Sequence, residues 1–143
     1  MESAITFDVL PTNSAAPVGV EVWLDQQQLI DCAQVTQAIP VTVTVCEDAA
    51  DHELRIVLKN KTVDHTTVDS AGNIVQDSCL TVNNFKFDDI EADQLVSEQA
   101  VYSHSFNSDG PATDHQFYWL MGCNGSVSLR FATPIYIWLL EHM

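Results

Sequence analysis

The sequence predicts an all-β chain, an antiparallel β-sandwich with jelly-roll-like connections, and three observations predict it. Apolar residues alternate with polar ones through whole segments, the period of a strand with one buried face. Clusters of Asp, Asn, Gly and Pro separate these segments at short intervals. Only 88–99 carries helix-forming residues in number. With 143 residues, 46% of them hydrophobic, the chain can bury a two-layer core. No linker, repeat or low-complexity tract divides it, so 1–143 is read as a single domain.

The first strand is expected at 3–10. In "VEVWL", Val20, Val22 and Leu24 share a face, and Asp25-Gln26 turns the chain into a strand at 28–32. "IPVTVTVC" places Ile39, Val41, Val43 and Val45 on one face and threonines on the other, with Cys46 expected to continue the buried run. After a turn at 48–51, "HELRIVLKN" alternates Leu54, Ile56 and Leu58 with Glu53, Arg55 and Lys59. Strands at 72–76 and 79–87 precede one or two helical turns in "DDIEADQLVSEQ", and further strands fall at 100–106 and 115–120. Asn124-Gly125 is a strong two-residue hairpin signal, because both central positions of a type I′ turn need positive φ. It makes 115–131 a hairpin ending in "SVSLRFA". The last strand, 134–140, has Ile135, Ile137 and Leu139 on one side and Tyr136, Trp138 and Leu140 on the other. Both faces of such a strand need cover, so Tyr136, Trp138 and Leu140 are expected at an interface with another subunit, most simply in a homo-oligomer.

Five Lys and Arg against 20 Asp and Glu give a formal charge of −15. That charge repels phosphate backbones and anionic membrane surfaces, so neither nucleic acid nor membrane is expected as a partner. The longest apolar run, "FATPIYIWLL", is half of a membrane span. There is no GxSxG, Ser103 and His104 point to opposite faces of a strand, and no glycine-rich phosphate loop is present. No enzymatic activity is expected. "MESAITFDVL" lacks the basic and apolar regions of a secretion signal, so nothing in it is expected to mark the chain for secretion. Cys32, Cys46, Cys79 and Cys123 lack zinc-ligand spacing and are expected reduced and unpaired.

The stretch "KNKTVDHTTVDSAGNIVQDS", 59–78, concentrates oxygen donors between two strands. It lacks the alternating acids and terminal Glu of an EF-hand loop. Two readings stay open. Asn60, Asp64, Asp69 and Asp77 could hold Ca2+ between loops at one end of a sandwich, or Asp64, Asp69 and Asn73 could order the loop through Asx-turns. His52, His65, His104 and His115 lie near strand ends, where they either meet on a metal or serve as polar strand-end residues.

Two resemblances add to this. Over 18–90, the order "VGVEVWLDQQQLID", an alternating strand, "DHELRIVLKNKT" and "LTVNNFKFDDI" resembles small calcium-dependent carbohydrate-binding modules. In those, an Asn-Asp after the strand contributes to the metal site, where this chain has Asn60-Lys61. Over 52–143, "HELRIVLKNKTVDHTTVDSAGNIVQDSCLTVNNFKFDDI", "YSHSFN" and "FYWLMGCNGSVSLRFATPIYIWLLEHM" are similar to virion structural proteins of tailed phages, especially those of marine cyanobacteria. This second resemblance implies a capsid-decoration or tail and fibre component, made in the host bacterial cytoplasm, located in the virion, and assembled with other virion proteins. The first implies Ca2+ and a cell-surface glycan as partner.

Overall fold

The computed structural model describes residues 2–104 and 113–142. Its elements are β1 (Glu2–Pro11), β2 (Gly19–Leu24), β3 (Gln27–Cys32), β4 (Ile39–Cys46), β5 (Asp51–Lys59), β6 (Thr66–Val68), β7 (Ile74–Asp77), β8 (Leu80–Phe87), β9 (Ile90–Glu91), α1 (Asp93–Gln99), β10 (Val101–His104), β11 (Thr113–Gln116), β12 (Leu120–Met121), β13 (Gly125–Ala132) and α2 (Ile135–His142). One sheet runs β12-β8-β1-β4 with β9 beside β8, and the other runs β11-β10-β13-β5-β2-β3. β6 and β7 form a separate hairpin. The expected antiparallel sandwich is therefore present. The end of the expected strand 100–106, beyond His104, lies outside the described residues.

The two sheets share one apolar layer. Ile5, Phe7 and Val9 of β1, Val41, Val43 and Val45 of β4, and Val82, Phe85 and Phe87 of β8 face Val20 and Val22 of β2, Leu54, Ile56 and Leu58 of β5, and Val127, Leu129 and Phe131 of β13. Phe7 stacks on Phe85 at 5.2 Å between ring centroids, and Phe87 meets Phe131 edge-on at 6.2 Å. On β8 the buried positions change phase from Leu80 and Val82 to Phe85 and Phe87. A bulge opposite β1 absorbs the extra residue, with Asn84 at φ 56° and its amide bonded to Asp8. Asn tolerates that left-handed conformation, which lets both phenylalanines reach the core.

Three expectations are corrected. Cys46 does not continue the buried run: the strict period of two that buries Val45 turns the next side chain out, and Cys46 is exposed. Asn124-Gly125 does not close a hairpin, because β12 pairs with β8 in one sheet while β13 pairs with β5 and β10 in the other. Asn124 instead ties loops together, accepting from the Lys61 N–H and donating to the Lys61 carbonyl.

The third correction concerns 134–140, which is helical. An unbroken apolar run carries no period of its own, and Pro134 suits a helix start because it has no N–H to leave unsatisfied. The Pro134 carbonyl accepts from Trp138 N–H, Glu47 accepts from Ile135 N–H, and the His142 ring donates to the Trp138 carbonyl. Ile135, Trp138 and Leu139 then face the core, while Tyr136, Ile137 and Leu140 face outward. Trp138 is 6% exposed, packed at 5.6 Å from Phe87 and 6.2 Å from Phe131. The two-faced strand that motivated an interface at Tyr136, Trp138 and Leu140 does not form. Trp138 is sealed in its own subunit, whereas Leu140 is 77% exposed.

This packing sets the cost of substitution. Trp138→Ala is expected to lower stability by about 3–5 kcal/mol and Leu140→Ala by less than about 0.5 kcal/mol. Urea denaturation checks both; equal losses would contradict the helical assignment.

Candidate functional site

Because β2, β5 and β13 bury every second residue, the residues between them cover the opposite face of the six-stranded sheet. Cross-strand pairing aligns Gln28, Trp23, Arg55, Ser128, Val101 and Gln116 in one row across all six strands. Glu53 and Arg130 form the start of the next row. Trp23 stands outside the core cluster. Its indole Nε1–H donates to Glu21 at 2.9 Å, Gln28 donates to the same carboxylate at 2.8 Å, and Lys59 approaches its other oxygen at 3.1 Å. The Trp23 hydrogen bond and then Lys59 hold the Glu21 carboxyl below its ordinary range. The Arg55 guanidinium lies over the indole, 5.3 Å from its centroid.

Glu53 sits between two cations, 3.4 Å from Nε of Arg55 and 3.4 Å from Nε of Arg130, and also accepts from Ser128. The terminal nitrogens of both arginines make no hydrogen bond among the described residues. These side chains open onto a cleft of about 690 Å³ whose walls include Asp25, His52, Arg55, Arg130, Phe131 and Trp138. That is the size range of small-ligand sites.

At the cleft's end, His52 is clamped. Its Nδ1 lies 2.8 Å from Asp25, its Nε2 lies 2.9 Å from Asp48, and its ring stacks on Phe131. Asp25 is aimed by a left-handed turn residue geometry, φ 54°, and accepts from the Glu53 N–H; Asp48 accepts from the Thr133 hydroxyl. Two carboxylate acceptors suit the doubly protonated ring. Burial alone would lower the His52 pKa, but hydrogen bonds to Asp25 and Asp48, with their charges, outweigh it and hold it above its ordinary value. Asp48 is held low by His52 and Thr133; for Asp25 burial opposes, and His52 with the Glu53 N–H prevails.

The residues expected to bind Ca2+ are placed differently. Asp69 closes the β6–β7 turn, accepting from the N–H groups of Ala71 and Asn73, as an Asx-turn does. Asp77 pairs across the hairpin with Thr66, so Asp69 lies three residues further along, roughly 10 Å away. Asp77 accepts from Lys61 Nζ at 2.7 Å and from Thr66 Oγ at 2.8 Å. Asn60, at φ 66°, donates to the Ala33 carbonyl, and Asp64 is exposed. Among the described residues, no three of His, Cys, Asp and Glu are grouped to hold a metal ion. The donor set does not fit Ca2+, since its best-placed carboxylate is already paired with an ammonium. Of the histidines, His65 bonds to the Pro17 carbonyl, and His104 stacks with His115 at 4.7 Å, far in sequence from the His52 clamp.

Sequence reasoning missed the Glu21, Trp23 and Arg55 group by searching loops. The signal was present: in "VEVWL" and "HELRIVL", the residues opposite the buried faces are Glu21 with Trp23 and Glu53 with Arg55.

No family model and no curated protein matches the chain. Two solved structures are similar to it. The selenomethionine form of vCBM60, described as linking two families of calcium-dependent carbohydrate-binding modules by circular permutation, has a TM-score of 0.51 and 14% identity, covering 89% of each chain. vCBM60 in complex with galactobiose has a TM-score of 0.46 and 14% identity, covering 88% of this chain and 96% of that one. At this identity the similarity is one of fold.

The clamp predicts a pH dependence. A histidine whose folded pKa is raised stabilises fully below the unfolded value of about 6.5 and ceases to do so as pH rises through the folded value. The depressed aspartates stabilise above about 3.9 and fail as pH falls through their folded values. The melting-temperature gap between wild type and His52→Gln should therefore be wider at about pH 5.5 than at about pH 9. A gap that stays constant would contradict the clamp.

Proposed function

We propose that the chain is a non-catalytic carbohydrate-binding module that takes glycan on the outer face of the six-stranded sheet. One observation carries this reading: Trp23 is fixed by Glu21 and Arg55 on a face that contributes nothing to the core. A large aromatic ring outside the core, with Arg55 over one plane and its polar edge held by Glu21, would offer a sugar ring its remaining apolar surface without a rotamer cost on binding. The arginine terminal nitrogens supply paired donors for adjacent hydroxyls, and Glu53, Asp25 and Gln28 supply acceptors. A row spanning six strands suits an extended chain of sugars. The fold likeness to vCBM60 supports the same reading. Affinity electrophoresis through a panel of soluble plant, algal and bacterial polysaccharides tests it. At least one should retard the wild type, and Trp23→Ala should weaken that binding at least about tenfold, or about 1.4 kcal/mol, while leaving the far-ultraviolet spectrum unchanged. Retardation by none, or equal retardation of the variant, would defeat the reading.

A second reading, assembly with other virion proteins, is favoured by the resemblance over 52–143 and by one surface. Tyr136, Ile137 and Leu140 of α2 are 50%, 54% and 77% exposed. In this reading Tyr136, Ile137 and Leu140 pack against a neighbouring subunit, and Leu140→Glu lowers the self-association seen by sedimentation equilibrium. A wild type that stays monomeric at high concentration would remove it.

A further inference from the structure

Lys61 is the most informative residue outside the sheet face. It lies two residues beyond the end of β5, yet its side chain is only 10% exposed. Its Nζ lies 2.7 Å from Asp77 Oδ1 and 2.6 Å from the Gly122 carbonyl. Asp77 Oδ1 accepts in addition from Thr66 on β6, and the other oxygen accepts at 3.4 Å from the thiol of Cys79, just before β8. The backbone of Lys61 is bonded in both directions to the Asn124 side chain, just before β13. One ammonium thus joins the end of β5, the β6–β7 hairpin and the 122–124 crossover between the two sheets.

A carboxylate and a carbonyl converging on one point repel each other unless a cation sits there. A calcium ion would meet this need with oxygen ligands at about 2.3–2.6 Å. Here the cation is covalently attached, and it occupies the space from which Asp77 and Gly122 would coordinate. A second cation cannot enter beside it without unpaired positive charge in a half-buried site.

We infer that the Lys61 ammonium does for these loops what a bound divalent cation would do, so that the chain is a calcium-independent member of its architecture. This inference stands apart from the glycan reading, since it concerns the fold's own cohesion. Thermal melting tests it without any ligand. Wild type should melt within about 1 °C of the same temperature in excess EDTA and in millimolar calcium, because only an ion that binds the folded state shifts the equilibrium. Lys61→Met and Asp77→Asn should each melt lower than wild type, and neither should respond to calcium. Lys61→Asp places two carboxylates by the Gly122 carbonyl and should melt lowest in EDTA, then recover with millimolar calcium; if it does not fold in EDTA, refolding on calcium addition is the same result. A wild type stabilised by calcium, a Lys61→Met variant as stable as wild type, or a Lys61→Asp variant indifferent to calcium would each overturn the inference.

Discussion

Leu54, Ile56 and Leu58 of β5 are at most 2% exposed, and the fold depends on that burial. β5 lies near the middle of the six-stranded sheet, paired with β2 on one side and β13 on the other. Its inward residues join the apolar layer between the sheets, and the period of two then drives Glu53, Arg55, Val57 and Lys59 outward. A slip of one residue would bury the charges and expose the leucines, so the register is strongly held. The same register aligns Trp23 with Arg55 and Ser128. The candidate binding face is thus a by-product of the constraint that makes the core.

On a chain with 20 acids and five bases, four of the bases are drawn into ion pairs among the described residues. Lys59 serves Glu21 and Asp31, Arg55 and Arg130 flank Glu53, and Lys61 serves Asp77. Exposed ion pairs contribute at most about 1 kcal/mol each, so those on the sheet face matter more for aiming side chains than for stability. Lys61 differs because it is mostly buried: removing it strands a carboxylate among protein groups, a costlier defect.

Strands were legible wherever one face is polar, as in β1, β2, β4, β5 and β13. The residues of α2 were misread because Ile135 to Leu140 is apolar at every position, so strand and helix periods fit equally and Pro134 had to decide. Asn124-Gly125 misled because turn propensity is local, while β12 and β13 on either side of it belong to different sheets. The acidic loop was half legible. Asp69 as an Asx-turn follows from sequence spacing, but the pairing of Asp77 with Lys61 joins residues 16 apart through a hairpin whose register the sequence leaves open. The Trp23 face was written in the alternation but lay on strands instead of loops.

The central claim is that the outer face of the six-stranded sheet is where this protein meets its ligand. The most direct measurement is the change in 1H–15N correlation spectra on adding a retarding polysaccharide or its oligosaccharides. The account predicts that the Trp23 indole N–H and the side-chain Nε–H signals of Arg55 and Arg130 move first and saturate together. Shifts confined to the β6–β7 hairpin, or to β1 and β4 of the opposite sheet, would contradict it.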